Sequence, residues 1–230
     1  MKAYDLYLDS GPMKKSTYIH VPSVAGCIAR GPTTDEALGN APDAIRAYLR
    51  FLARHGEKAD PKAPFRTRVA QHATDGQWPG NGAGFLPTDT SPLSQREGDA
   101  LMARLGALHG DLRQLTGDLS SRQLDAKPSR GRPIRQILQH LCGEGGYLRG
   151  VSGASRLQRE VEQGRLQQLD ALDRLFELKS ERLRAMTKDE CEGVIMRGQS
   201  PWSVRAAMRR MLEHAWEHYA EISERLGVKT

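Results

Sequence analysis

The sequence predicts a small α+β domain followed by an all-α four-helix bundle, and three observations support this fold class. Apolar and polar residues alternate near the start of the chain, which is the two-residue period of a strand. The apolar spacing then changes to the helical period over residues 34–56. After a Gly- and Pro-rich segment, helical spacing continues almost to the end. We therefore expect the α+β domain at residues 1–72, a linker at 73–92 and the bundle at 93–230.

The first domain is expected to have the order β-β-β-α-β. The stretch AYDLYLDS alternates, with Tyr4, Leu6 and Leu8 on one side, and STYIHVPSV and AGCIARG are two further short extended segments. A helix capped by Thr34 is predicted to follow and to end at Gly56. The stretch PFRTRVAQHAT is compatible with a fourth strand. This order implies a small sheet with one helix on one face.

Four amphipathic segments are predicted in the second domain, separated by KPSRGRP, GVSG and RGQSP. They cover about residues 93–119, a segment that begins near Pro133, about residues 156–186, and a segment from Pro201 to Gly227. Because each helix of this kind buries one apolar stripe, we expect a four-helix bundle. The charged residues of the last segment are expected away from its stripe, namely Arg209, Arg210, Glu213, Glu217 and Glu224.

The composition is that of a soluble globular protein. Of 230 residues, 38% are hydrophobic and 27% charged, without an apolar run as long as a membrane span. The stretch MKAYDLYLDSGPMKK lacks the apolar region of a secretory signal, and three widely spaced cysteines suit a reducing compartment. We therefore expect a cytoplasmic protein without membrane association. The net charge of +6 is spread along the chain, which disfavours nucleic-acid binding.

The stretch MLEHAWEHYAEI places His214 and His218 four residues apart. On a helix both rings lie on one face, in a stripe with Ala207, Met211 and Ile222. A buried imidazole needs partners for both ring nitrogens, and a metal ion on one nitrogen with a protein acceptor on the other meets that need. With 7 histidines in 230 residues, about 0.2 such pairs are expected by chance, so a structural pair is the alternative interpretation.

A third histidine favours the metal interpretation. In PIRQILQHLCGEGGYL, His140 follows Ile137 by three residues and is predicted on the inward side of its helix. Bundles build metal sites from side chains of facing helices, so His140 can meet His214 and His218. Three neutral imidazoles leave positions for water or substrate, so the predicted site is open. Zinc, nickel, iron and manganese would all fit it.

Residues 93–230 resemble the DinB superfamily of four-helix bundles, which has one histidine in its second helix and HxxxH in its last. The matching positions are His140, in ILQHLCGEGGYL, and His214 with His218, in PWSVRAAMRRMLEHAWEHYAEI. The resemblance implies a divalent-metal-dependent enzyme, either a thiol-dependent transferase or a hydrolase that acts on a small molecule. It implies a low-molecular-weight thiol as a partner or substrate, and a homodimer.

Residues 1–70 resemble the small HicB-like antitoxin fold, through the stretch HVPSVAGCIARGPTTDEALGNAPDAIRAYL. Members of that family commonly carry a DNA-binding tail and neutralise a small RNase toxin, but no helix-turn-helix or ribbon-helix-helix segment of an obvious kind follows here. The resemblance implies an alternative function for the chain. In that alternative it is a non-enzymatic regulatory or protein-binding module, with the bundle as a scaffold.

Other polar and aromatic residues near the predicted site have a simpler interpretation. Glu144 lies one turn beyond His140 and can accept a hydrogen bond from a metal ligand, although an exposed helical glutamate is commoner. The remaining residues are interpreted as structural, namely His20, His109, Cys142, Tyr147 and Trp216.

Overall fold

The computed structural model describes residues 1–11, 15–74, 84–129, 131–198 and 200–228. The first part is a four-stranded sheet of β1 (Lys2–Asp9), β2 (Thr17–His20), β3 (Ile28–Gly31) and β4 (Phe65–Ala73), with helix α1 (Thr34–Arg54) between β3 and β4. The strand order is β3-β2-β1-β4, and β1 pairs antiparallel with β2 and parallel with β4. The predicted β-β-β-α-β order is confirmed.

Helix α1 covers one face of this sheet with an apolar stripe of Ala37, Ala41, Ile45, Tyr48, Leu49 and Leu52. Its cap is Thr33 and not the predicted Thr34, because the Thr33 side chain accepts a hydrogen bond from the Glu36 amide at 3.2 Å. The helix is followed by Gly56, which has a φ of +82°. A left-handed residue at this point ends the helical hydrogen bonding, as the sequence predicts.

The second part is helical. Its long elements are α2 (Gln95–Thr116), α4 (Ile134–Leu141), α5 (Ala154–Glu162), α6 (Gln168–Arg184) and α8 (Val204–Arg225), with the short helices α3 (Ser121–Leu124) and α7 (Lys188–Glu192) between them. A single helix over 156–186 was expected, but Gly164, with a φ of +68°, separates α5 from α6. A hairpin of β5 (Ile195–Arg197) and β6 (Ser200–Trp202), which the sequence pattern did not predict, precedes α8.

Part of the predicted linker lies outside the described residues. Of residues 73–92, the structure describes 73–74 and 84–92. Leu86 and Asp89 of the second piece are 0% and 1% exposed. Asp89 Oδ2 accepts a hydrogen bond from the Leu86 amide at 2.8 Å, which closes a short turn. Residues 84–92 therefore pack onto the rest of the chain.

The two parts share one continuous apolar core, with α8 between them. Tyr48 and Phe51 of α1 contact Trp216 of α8, with ring centroids 4.9 and 5.4 Å apart. Helix α2 packs on α8 from the bundle side. Helix α8 therefore has two packing faces, one toward the bundle and one toward the α+β part.

This second face corrects the expectation for Arg209 and Glu213, which are 3% and 1% exposed. Arg209 donates to both carboxylate oxygens of Asp89, at 3.0 and 2.7 Å, and to both of Glu213, at 2.9 and 2.8 Å. His20 Nδ1 lies 3.0 Å from Glu213 Oε1. These charged groups are buried because each faces an opposite charge or a hydrogen-bond partner.

Among the described residues, no helix combines the length and the apolar character that a bilayer crossing requires.

Candidate metal centre

The three predicted histidines come together between α4 and α8. His140 lies in the last turn of α4 and is exposed, whereas His214 and His218 lie one turn apart on α8 and are 5% and 6% exposed. His214 Nε2 is 2.9 Å from His140 Nε2 and 3.2 Å from His218 Nε2. One ring nitrogen from each of the three lies within 4.8 Å of the others. The structure therefore brings together the set that the sequence predicts.

The spacing and protonation of these nitrogens fit a divalent metal ion. Two ligands at about 2.05 Å from a tetrahedral ion are separated by roughly 3.3 Å, which is close to the two distances from His214 Nε2, 2.9 and 3.2 Å. The Nδ1 atoms of His214 and His218 each face a carboxylate, which accepts a hydrogen bond and so places the ring proton on Nδ1. Their Nε2 lone pairs then point at a shared space. A cation bound there would relieve the repulsion between these lone pairs.

Glu144 is hydrogen-bonded to His214 and fixes the orientation of its ring. His214 Nδ1 donates to Glu144 Oε1 at 2.7 Å, and Lys179 Nζ donates to Glu144 Oε2 at 3.1 Å. Burial raises the pKa of Glu144, but Lys179 and His214 outweigh burial and lower the pKa to about 2. Glu144 is thus a buried anion with 1% exposure, and not the exposed residue that was the commoner interpretation.

Glu221 has the same relationship to His218. His218 Nδ1 donates to Glu221 Oε2 at 3.1 Å, and Arg225 donates to the other oxygen of that carboxylate. The hydrogen bond from His218 lowers the pKa of Glu221, and the charge of Arg225 adds to this effect. Each buried ring therefore has its own anionic acceptor, which fixes its orientation.

His140 is suited to bind a metal ion without first losing a proton. Although the residue as a whole is exposed, the loss of water around its ring and the neighbouring His214, Arg132 and His218 lower the pKa of His140 to about 4. Its ring is therefore neutral near pH 7. A neutral imidazole offers the lone pair that a metal ion requires.

The triad opens onto a cleft of about 700 Å³ that is lined by His140 and His214. The other lining side chains are mostly polar, and include Arg132, Gln136, Gln139, Tyr147, Gln158 and Glu162. A cavity of this size accommodates a small molecule. The polar side chains suit a ligand that carries hydrogen-bonding groups.

The other sequence candidates lie apart from the triad, with one exception. His109 is 4% exposed, and burial lowers its pKa to about 4. Cys142 is buried, and burial raises its pKa to about 12, which makes the thiol inert. Trp216 packs against α1, as expected. Tyr147 is the exception, because it lines the cleft.

Sequence reasoning missed Lys179, which is 0% exposed in α6. The sequence pattern does indicate that Lys179 is buried. It follows Phe176 by three residues and precedes Leu183 by four, so it lies on the inward side of the helix. A lysine on such a stripe indicates a buried anion opposite, and Glu144 is that anion.

Both parts of the chain are similar to known proteins. Residues 104–222 match the sequence profile of the DinB superfamily. The N-terminal part is similar to the UPF0150 protein Ta0767 of Thermoplasma acidophilum, a HicB-like protein, with 48% identity over 40 residues. That match covers 17% of this chain and 58% of the relative. No solved structure matches the chain significantly.

Proposed function

This chain belongs to the DinB superfamily, and from that premise we propose that it is a divalent-metal-dependent enzyme with His140, His214 and His218 as ligands. The observation that carries the proposal is the convergence of three Nε2 atoms beside an open cleft that His140 and His214 line. A purely structural site has four protein ligands, whereas three leave room for a substrate. Zinc, nickel, iron and manganese remain equal candidates.

The reaction that we propose is thiol-dependent transfer or hydrolysis of a small molecule in the cytoplasm. When bound, the divalent ion would supply Lewis acidity, either to a water molecule or to a substrate thiol. Glu144 and Glu221 hold the rings of His214 and His218 in the tautomer that exposes Nε2. Gln139 and Gln158 at the cleft wall offer amide groups that can orient a polar substrate.

The alternative is a regulatory or protein-binding module, and the similarity of the N-terminal part to a HicB-like protein favours it. In that case the bundle serves as a scaffold for the α+β part. The two functions differ in what they require of the triad. Only the enzyme needs a loaded ion with a position that an external ligand can occupy.

Elemental analysis of protein purified without a histidine tag tests the proposal. We expect about one divalent ion per chain, and a sharp loss of that ion in His140→Ala, His214→Ala and His218→Ala, because two imidazoles make a much weaker site. His72→Ala is the matched control. His72 is an exposed strand residue that contacts Ser10 at 2.7 Å, so its loss should leave the metal content unchanged.

The opposite pattern would favour the scaffold. If the parent protein holds no metal after refolding with zinc, nickel, iron and manganese in turn, and the alanine variants only lose stability, the enzyme proposal is wrong. If the parent does hold metal, loaded protein should be assayed with a set of low-molecular-weight thiols and a chromogenic electrophile. The His140→Ala variant is the negative control for that assay.

A further inference from the structure

Tyr147 occupies an unusual position for a residue first interpreted as packing. It lines the cleft together with His140 and His214, and its ring centroid is 5.8 Å from that of His214. Its backbone follows the turn that carries Glu144, since the Tyr147 amide donates to the Glu144 carbonyl oxygen at 3.1 Å. Tyr147 is therefore fixed to the same turn that supports a metal ligand.

The hydroxyl group of Tyr147 is available to a ligand. Within the part of the chain that the structure describes, it makes no hydrogen bond and is not among the buried polar atoms. A tyrosine that only packs normally bonds its hydroxyl to the protein when it is enclosed. Tyr147 is half-buried and lines the cleft, and its hydroxyl is not among the buried atoms that lack a partner, so the hydroxyl is accessible.

The backbone and the ring of Tyr147 are each held by a neighbouring side chain. Trp202 Nε1 donates to the Tyr147 carbonyl oxygen at 3.0 Å. The guanidinium carbon of Arg210 lies 5.9 Å from the Tyr147 ring centroid, within cation–π range. The Nε and Nη1 atoms of Arg210 are buried and have no hydrogen-bond partner among the described residues. The contact with the Tyr147 ring is therefore one of the interactions of this cation, which also lies near the charge of Glu213.

We infer that Tyr147 is a ligand-contacting residue of the metal cleft, whose phenol donates a hydrogen bond to an oxygen acceptor of the ligand held at the histidine triad. Arg210 is a positioning residue that acts through the Tyr147 ring. The inference rests on the proposed function, since the ligand is placed by a metal ion on the three histidines. Because the Tyr147 phenol donates a hydrogen bond, the cleft favours small, polar ligands that carry an acceptor oxygen, such as carboxylates and hydroxamates.

Titration of the cobalt-loaded full chain with acetohydroxamate tests this inference, with the visible absorption of cobalt as the readout. The Tyr147→Phe variant removes only the hydroxyl group. We expect the Kd for acetohydroxamate to rise about 3- to 10-fold, the loss of one hydrogen bond, while cobalt affinity and thermal unfolding stay as in the parent. An unchanged Kd in Tyr147→Phe would overturn the inference and leave the proposed function intact. A parent that binds neither cobalt nor any of zinc, nickel, iron and manganese would overturn both.

The role of Arg210 is tested by making the same Arg210 substitution in the parent and in the Tyr147→Phe variant. Arg210→Met should raise the Kd for acetohydroxamate in the parent but not in the Tyr147→Phe background, because Arg210 acts through the phenol. Equal effects in both backgrounds would show that Arg210 contacts the ligand itself and would overturn the positioning role. Arg210→Lys, which keeps a cation near the ring, should recover part of the affinity, and its thermal unfolding checks that the fold is intact.

Discussion

His214 Nδ1 donates a 2.7 Å hydrogen bond to Glu144, and both side chains are almost fully buried. Because this bond sets the tautomer of His214, we predict that Glu144→Gln lowers divalent metal affinity by about 10- to 100-fold. Competition titration with a metal-binding dye measures this. Glu162→Gln is the matched control, since Glu162 lines the same cleft but bonds to Gln158. Equal affinities for Glu144→Gln and the parent would contradict the prediction.

We predict that the free energy of unfolding falls as the pH is lowered, because three buried groups, His109, Glu144 and Glu213, have lowered pKa values in the folded chain. The pKa of His109 is lowered from 6.5 to about 4 by burial, so the unfolded chain binds a proton there first and stability is lost from pH 6.5 to pH 4. For Glu144 and Glu213, neighbouring cations outweigh burial and lower the pKa from 4.5 to about 2. Their stabilisation is present above pH 4.5 and is lost as the pH falls to 2.

Urea unfolding in the presence of a chelator measures this pH dependence without a contribution from bound metal. His109→Phe preserves a ring of similar size and removes the titration. We expect this variant to lose less stability than the parent between pH 6.5 and pH 4. Parallel profiles for the two proteins over that range would show that His109 does not contribute.

Arg209 pairs with Asp89 of residues 84–92 and with Glu213, and it lies beside His20 of β2, so we predict a large cost for removing it. Arg209→Met leaves the Asp89 and Glu213 carboxylates buried without their cation, which costs roughly 3–5 kcal/mol of the free energy of unfolding. Arg205→Met is the control, because Arg205 contacts the exposed Glu97 and exposed pairs contribute about 1 kcal/mol or less. Chemical denaturation should separate the two variants clearly.

We predict that a fragment of about residues 91–230 folds alone, as the difference in periodicity between the two parts suggests. It should be less stable than the full chain, because the face of α8 that contacts Tyr48 and Phe51 becomes exposed. Circular dichroism and thermal unfolding measure both properties. A fragment without helical signal would show that the bundle depends on the α+β part.

We also predict a homodimer, with a mass of about 51 kDa, twice the 25.5 kDa of one chain. Strand β4 is an edge of the sheet, and its Val69 is 48% exposed, which offers a pairing edge. Light scattering at micromolar concentration measures the mass. Val69→Lys should weaken the dimer, and Met196→Lys, at an exposed site on the hairpin, should not. A parent mass of one chain would disprove the prediction.

Local patterns predicted most of the elements. The alternation of Tyr4, Leu6 and Leu8 predicted β1, and all three are buried as expected. The helical spacing of His214 and His218 predicted a shared face of α8, because that spacing follows from helix geometry alone. The break at Gly164 was missed, since a single glycine within an amphipathic run is compatible with a continuous helix as well as with a turn.

The sequence by itself determined the β-β-β-α-β order, the apolar faces of the helices and the shared face of His214 and His218, because these depend on residues close together in the chain. Only the tertiary structure decided the surroundings of those histidines. Glu144 is buried because Lys179, 35 residues away, supplies its counter-charge. Arg209 and Glu213 are buried because the α+β part covers a second face of α8. Burial of a charge depends on a distant partner, and no local period records which partner the fold brings to it.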